Sequence, residues 1–84
     1  MLKLTLRVEF ADKSRMPEEP MGDFFEFETI EDFIYFNREE LSVLKDVCPE
    51  SKNFADAVDK KLLNREFYIE PYTDDKSFIV VQDI

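Results

Sequence analysis

The chain has 84 residues, with 20 Asp and Glu against 11 Lys and Arg, one Cys, one Gly, no His and no Trp. A chain of this size buries roughly 64% of its unfolded surface, which suffices for one core and a single domain over residues 1–84; 44% hydrophobic content with nine Phe is too apolar for a disordered acidic tail. The formal net charge of −9 argues against direct nucleic-acid or anionic-membrane binding, which needs Lys and Arg, and favours a partner protein with a basic surface.

Residues 2–10 alternate, with Leu2, Leu4, Leu6, Val8 and Phe10 on one side and Lys3, Thr5, Arg7 and Glu9 on the other, which predicts a strand with one buried face. Residues 11–23 hold Asp12, Ser14, Pro17, Pro20 and Gly22 and read as a long hairpin loop. Phe24 to Glu28 predicts a second strand with Phe25 and Phe27 inward and Phe24, Glu26 and Glu28 outward. Thr29 followed by Asp32 resembles a capping box with Asp in place of Glu or Gln, and opens a helix reaching about residue 47. Ile30, Phe33, Ile34, Leu41, Leu44 and Cys48 form its apolar stripe, flanked by Phe36 and Val47. Glu40 intrudes on that stripe, and Asn37 followed by Glu40 reads as a second N-cap that would kink or divide the helix near residue 37. Pro49 ends it, and Ser51 is placed to cap a second helix carrying Phe54, Val58 and Leu62. Residues 66–72 and 77–83 read as a closing hairpin around Thr73-Asp74-Asp75-Lys76, whose Asp residues favour a type I turn. Phe78 to Val81 is a continuous apolar run, expected of a central strand covered on both faces.

The order ββααββ predicts an α+β fold, a four-stranded mainly antiparallel sheet with two helices packed on one face. It also suits a β-grasp arrangement in which the first and last strands pair in parallel. No stretch approaches the ~20 apolar residues of a membrane span, and the alternating N-terminus lacks the apolar run of a signal peptide. The expectation is a soluble, cytoplasmic protein. The single Cys48 fits a reducing compartment and reads as a small apolar residue at a helix end.

Without histidine no Ser-His-Asp or Cys-His arrangement exists, and the usual base near neutral pH is missing. One Cys and no His remove the usual zinc ligands, and one glycine cannot build a P-loop or a dinucleotide-binding turn. Asp74 and Asp75 read as turn formers, since nothing in the sequence completes a calcium or magnesium shell around them. The small size also leaves little room for a pocket of ~300 Å³ or more. The expectation is a protein that is no enzyme, with no catalytic residues, cofactor or metal.

Between Arg15 and Arg38 there is no basic residue, while Glu18, Glu19, Asp23, Glu26, Glu28, Glu31 and Asp32 supply seven negative charges; the rest of the chain holds 13 acids against 11 bases. Alternate strand residues lie about 6.6 Å apart, close to the spacing of successive phosphates, so Glu26 and Glu28 are candidates to imitate a phosphate pair. With Tyr35 as an aromatic neighbour, these acids form the candidate partner-binding surface of a small inhibitor or modulator that fills a basic, nucleic-acid-binding groove of another protein. In composition the chain is similar to small phage-type inhibitors of nucleic-acid enzymes. Two readings compete. Lys3 and Arg7 are placed to neutralise Glu26 or Glu28 across the first hairpin. Alternatively, the chain is a structural module forming a homodimer through an apolar sheet surface or edge, with its acids merely solvated and Tyr68 and Tyr72 on an outward face.

Overall fold

The computed structural model describes residues 1–12 and 23–84; most of the loop expected over residues 11–23, including Glu18 and Glu19, lies outside the described residues. The N-terminal alternation forms β1 (Leu2–Glu9). Leu4 is buried and Leu6 and Val8 pack against the core, while Leu2, at the strand's end, is 40% exposed.

The second strand is shorter than its sequence suggests. β2 covers only Phe25–Phe27 and pairs antiparallel with the start of β1, from Leu2↔Phe27 to Leu4↔Phe25. Phe24, expected outward at the strand's start, leaves the ladder. Its ring stacks on Tyr72 at 5.6 Å and tilts against Phe78 at 5.3 Å. Phe27 is buried as expected, but Phe25 is half exposed, because it lies against Phe36 near the margin of the helical layer and away from the core.

Thr29 caps α1 (Ile30–Val47), its Oγ1 accepting from the Asp32 N–H at 3.2 Å. Phe33 and Leu41 are buried and Ile30, Ile34 and Leu44 pack beside them, so the stripe read from 3.6-residue spacing is the core face. The helix is not divided near residue 37. The Asn37 Nδ2 donates to the Phe33 carbonyl one turn earlier at 2.9 Å, and a side chain bonded back along its own helix cannot cap a new one. A 3₁₀ turn, Pro49–Ser51, then feeds α2 (Lys52–Leu63). Ser51 occupies the N-cap position without capping, and its hydroxyl instead donates to Cys48 Sγ at 3.3 Å. Ala55, Val58 and Leu62 form the buried face of α2. Arg65, at φ 58°, reverses the chain in a Schellman pattern, with the Glu66 N–H bonding the Lys61 carbonyl and the Arg65 N–H that of Leu62.

The closing hairpin is β3 (Tyr68–Thr73) and β4 (Lys76–Gln82). Neither Asp74 nor Asp75 has positive φ, which excludes a primed turn, as expected. The sheet order is β2-β1-β4-β3, with β1 and β4 parallel from Lys3↔Lys76 to Glu9↔Gln82 and both outer pairs antiparallel. β4 is therefore central, and Phe78 to Val81 are all buried. Ile79 and Val81 join Leu4, Phe33, Val58 and Leu62 under the helices. On the other face Phe78 packs with Phe24, Tyr72 and the Arg7 guanidinium.

Leu62 is fully buried in this core. Leu62→Ala is expected to cost about 2–5 kcal/mol of unfolding free energy by chemical denaturation. Thr29→Ala, which removes the α1 cap, is expected to cost about 0.5–2 kcal/mol in the same measurement.

Candidate protein-binding surface

The strand order decides where the cations go. Lys3 lies opposite Glu26 in the β1–β2 register, yet its Nζ donates to Asp75 Oδ2 at 2.8 Å across the β3–β4 turn. The Lys3 ammonium is held above its ordinary pKa first by that hydrogen bond and then by the Asp75 charge, with Glu26 contributing least. Arg7 turns the same way. It bonds Glu70 on β3 at 2.5 Å, approaches Glu9 at 4.0 Å and lies 5.1 Å from the Phe78 ring centre. The cross-hairpin neutralisation of Glu26 and Glu28 expected from Lys3 and Arg7 is thus not what forms, because β4 and β3 lie on the other side of β1.

Other cations tie the helices together. Arg38 bonds Asp59 and Lys45 bonds Asp56, both from α1 to α2, and Lys52 joins Asp56 from one turn earlier. Among the described candidate acids, Glu31 is the one consumed this way, paired with Arg65 beyond the end of α2; the Arg65 hydrogen bond, first among the causes, draws its pKa down.

Asp23, Glu26, Glu28 and Asp32 remain. All four are exposed, and among the described residues no ion pair reaches them. Asp23 precedes β2, Glu26 lies within it opposite Lys3, Glu28 follows it, and Asp32 sits in the first turn of α1. Glu28 lies beyond the end of β2, so Glu26 and Glu28 are not alternate residues of one strand, and the phosphate-pair spacing does not follow from the strand. Tyr35 is 68% exposed. A hydrogen bond to Glu39, and that carboxylate's charge, push its pKa up. Asp32, Tyr35 and Glu39 follow i, i+3, i+7 spacing and share one line of α1. Glu39 and Glu40 lie just past Arg38, the first base after the acidic run in the sequence, and extend that run because Arg38 is bound to Asp59.

Beside this acidic surface lies a groove of about 450 Å³ between β1, β2 and the helices. Leu6, Val8, Phe10, Phe25, Phe36 and Phe54 supply apolar wall, and Asp23, Asn37 and Glu40 add polar groups. Arg7 lines it too, but its guanidinium is bound to Glu70. The expectation that so small a chain lacks room for a pocket is therefore wrong. The space exists because β2 stops three residues into its pairing with β1. Early pairing loss has no signature in the apolar pattern, which gives Phe24 to Phe27 good strand character throughout.

Among the described residues no three His, Cys, Asp or Glu side chains are grouped to hold a metal ion, and no helix is long and apolar enough to cross a membrane. Asp74 and Asp75 sit in the β3–β4 turn, where Asp75 accepts from Lys3 and from Thr73 Oγ1.

Asp56 contributes a pH dependence to the α1–α2 contact. Its hydrogen bond to Lys45, opposed by burial and aided by the charges of Lys45 and Lys52, lowers its folded pKa. A depressed carboxylate stabilises the fold above the unfolded Asp value of about 3.9 and loses that contribution as pH falls through the lower folded value. Denaturant midpoints of the natural chain and Asp56→Asn are expected to differ at pH 7 and to converge as pH falls below about 4. Compared with protein-family models, with curated proteins and with solved structures, the chain matches none.

Proposed function

We propose that the protein is a small, acidic, non-enzymatic binding module that acts as an inhibitor or modulator by docking its β2–α1 surface onto the basic surface of a partner protein. The observation that carries this reading is the commitment of Lys3 and Arg7 to Asp75 and Glu70, which leaves Glu26 and Glu28 exposed without an ion pair among the described residues, as are Asp23, Asp32 and Glu39, the last bonded to Tyr35. Such a surface steers association with a basic partner, and salt weakens it because the Debye length shrinks from about 8 Å at 0.15 M to about 3 Å at 1 M. A groove that binds nucleic acid has the required charge and is the partner class this reading names. Tyr35 supplies an amphipathic anchor beside the charge.

Self-association through a sheet edge is the weaker reading. The β3 edge carries Pro71 and a register irregularity between Pro71 and Thr73, both of which blunt strand pairing, and β2 is three residues long.

Affinity capture on the immobilised chain at low salt, read by mass spectrometry, tests the proposal. It is expected to recover basic nucleic-acid-binding proteins and to release them at about 0.5 M salt. The triple reversal Glu26→Lys, Glu28→Lys, Glu39→Lys is expected to abolish capture with circular dichroism unchanged. The charge-matched control Asp46→Lys, Glu66→Lys, Asp74→Lys is expected to retain it. Capture that survives the first triple, or that the two triples weaken equally, contradicts a dedicated acidic face.

A further inference from the structure

We infer that the β1 edge past Leu4 is a strand-addition site for an extended segment of the partner in which apolar residues alternate with Lys or Arg. This rests on the binding-module reading and names the ligand that module takes.

Backbone polarity marks this edge. The Ile84 N–H donates to the Glu9 carbonyl at 3.4 Å, and the Ala11 N–H donates to the Ile84 carbonyl at 3.2 Å. Residues 9 and 11 therefore direct their polar groups towards the β4 side. The β1–β4 register runs unbroken from Lys3↔Lys76 to Glu9↔Gln82, so alternation turns the N–H and C=O groups of Leu6 and Val8 to the opposite side. That is the side of β2, whose pairing ends at Leu4↔Phe25. Among the described residues no strand continues the ladder there. A row of unpaired backbone groups is a template for another strand, and a helix laid in the groove would leave those groups without partners.

The groove lies along the same edge. Leu6 and Val8 form one wall and Phe36 and Phe54 the other. In an added strand every second side chain points to the helical face and enters this apolar space. Charge selects the incoming segment. Asp23 and Glu40 line the groove, both exposed and neither ion-paired among the described residues. They favour Lys or Arg in the incoming segment and repel an acidic one. A second copy of this chain, at −9, would bring the same carboxylates against themselves.

The test uses the full chain and two acetylated, amidated heptapeptides in which Lys alternates with Val, identical except that one carries an N-methyl group on its central residue. Amide hydrogen exchange by NMR reads the edge. The amides of Leu6 and Val8 are expected to exchange quickly in the free protein and to become protected when the unmodified peptide binds. N-methylation keeps the charge but removes a ladder donor, and is expected to weaken binding about tenfold. Glu40→Lys is expected to weaken the unmodified peptide.

Protection of Leu6 and Val8 already present in the free protein would overturn the inference, since the chain's own residues or a second copy would then close the edge. Equal binding of the two peptides would overturn strand addition and leave the acidic surface standing. Binding by neither peptide, with capture of basic proteins intact, would also sink the strand site alone. Loss of that capture would sink the broader reading.

Discussion

The parallel pairing of β1 with β4 is the constraint on which the rest of this molecule depends. It puts the N-terminal strand inside the sheet for Leu2–Leu4, where β2 covers its other side, and among the described residues leaves it as an edge from Thr5 onward. It also places β3 and the Asp74-Asp75 turn within reach of the outward side chains of β1. Lys3 and Arg7 take their partners there. In a simple two-stranded hairpin those two cations would be placed to meet Glu26 and Glu28, and two of the seven negative charges of the acidic run would be offset. The sheet order thus sets the electrostatics of the surface.

Ion pairs here contribute little to stability individually. Exposed pairs are typically worth about 0.2–1 kcal/mol, whereas Phe33, Val58, Leu62, Ile79 and Val81 are essentially removed from water, at about 1.5–3 kcal/mol per large side chain. The pairs matter for a different reason. Arg38 and Lys45 join α1 to α2, Lys52 pairs within α2, and Lys3 and Arg7 join β1 to β3 and its turn. Every such commitment removes a cation from the β2–α1 turn. Charge segregation thus follows from the sheet order, and the groove beside it opens where the pairing of β2 ends.

Much of the architecture was legible in the residues. Period-two alternation identified β1, the 3.6-residue stripe identified the core face of α1, and the apolar run Phe78 to Val81 identified a strand covered on both faces. These signals are strong because each reflects burial of a whole face. The misreadings were local choices between two satisfactory partners. Asn37 bonds to Phe33 within the helix where a cap was expected, Ser51 bonds to Cys48, and Phe24 prefers the rings of Tyr72 and Phe78 to a place in the ladder. The candidate site was legible in part. The charge count found Asp23 to Asp32, but Glu31 is neutralised by Arg65, which is distant in sequence, and Glu39, Glu40 and the groove appear only once β2 ends and the helices are in place. Pairings across 34 residues, as in Glu31 with Arg65, leave no mark in a linear pattern.

The claim that β1's cations face β3, and so leave the acidic turn uncancelled, is tested most directly by double-mutant cycles on unfolding free energy. One cycle joins Arg7→Met with Glu70→Gln, and the other joins Lys3→Met with Glu26→Gln. A stabilising coupling of about 0.2–1 kcal/mol in the first, with none resolved in the second, is the result this account predicts. A coupling confined to Lys3 and Glu26, with Arg7 and Glu70 additive, would contradict it.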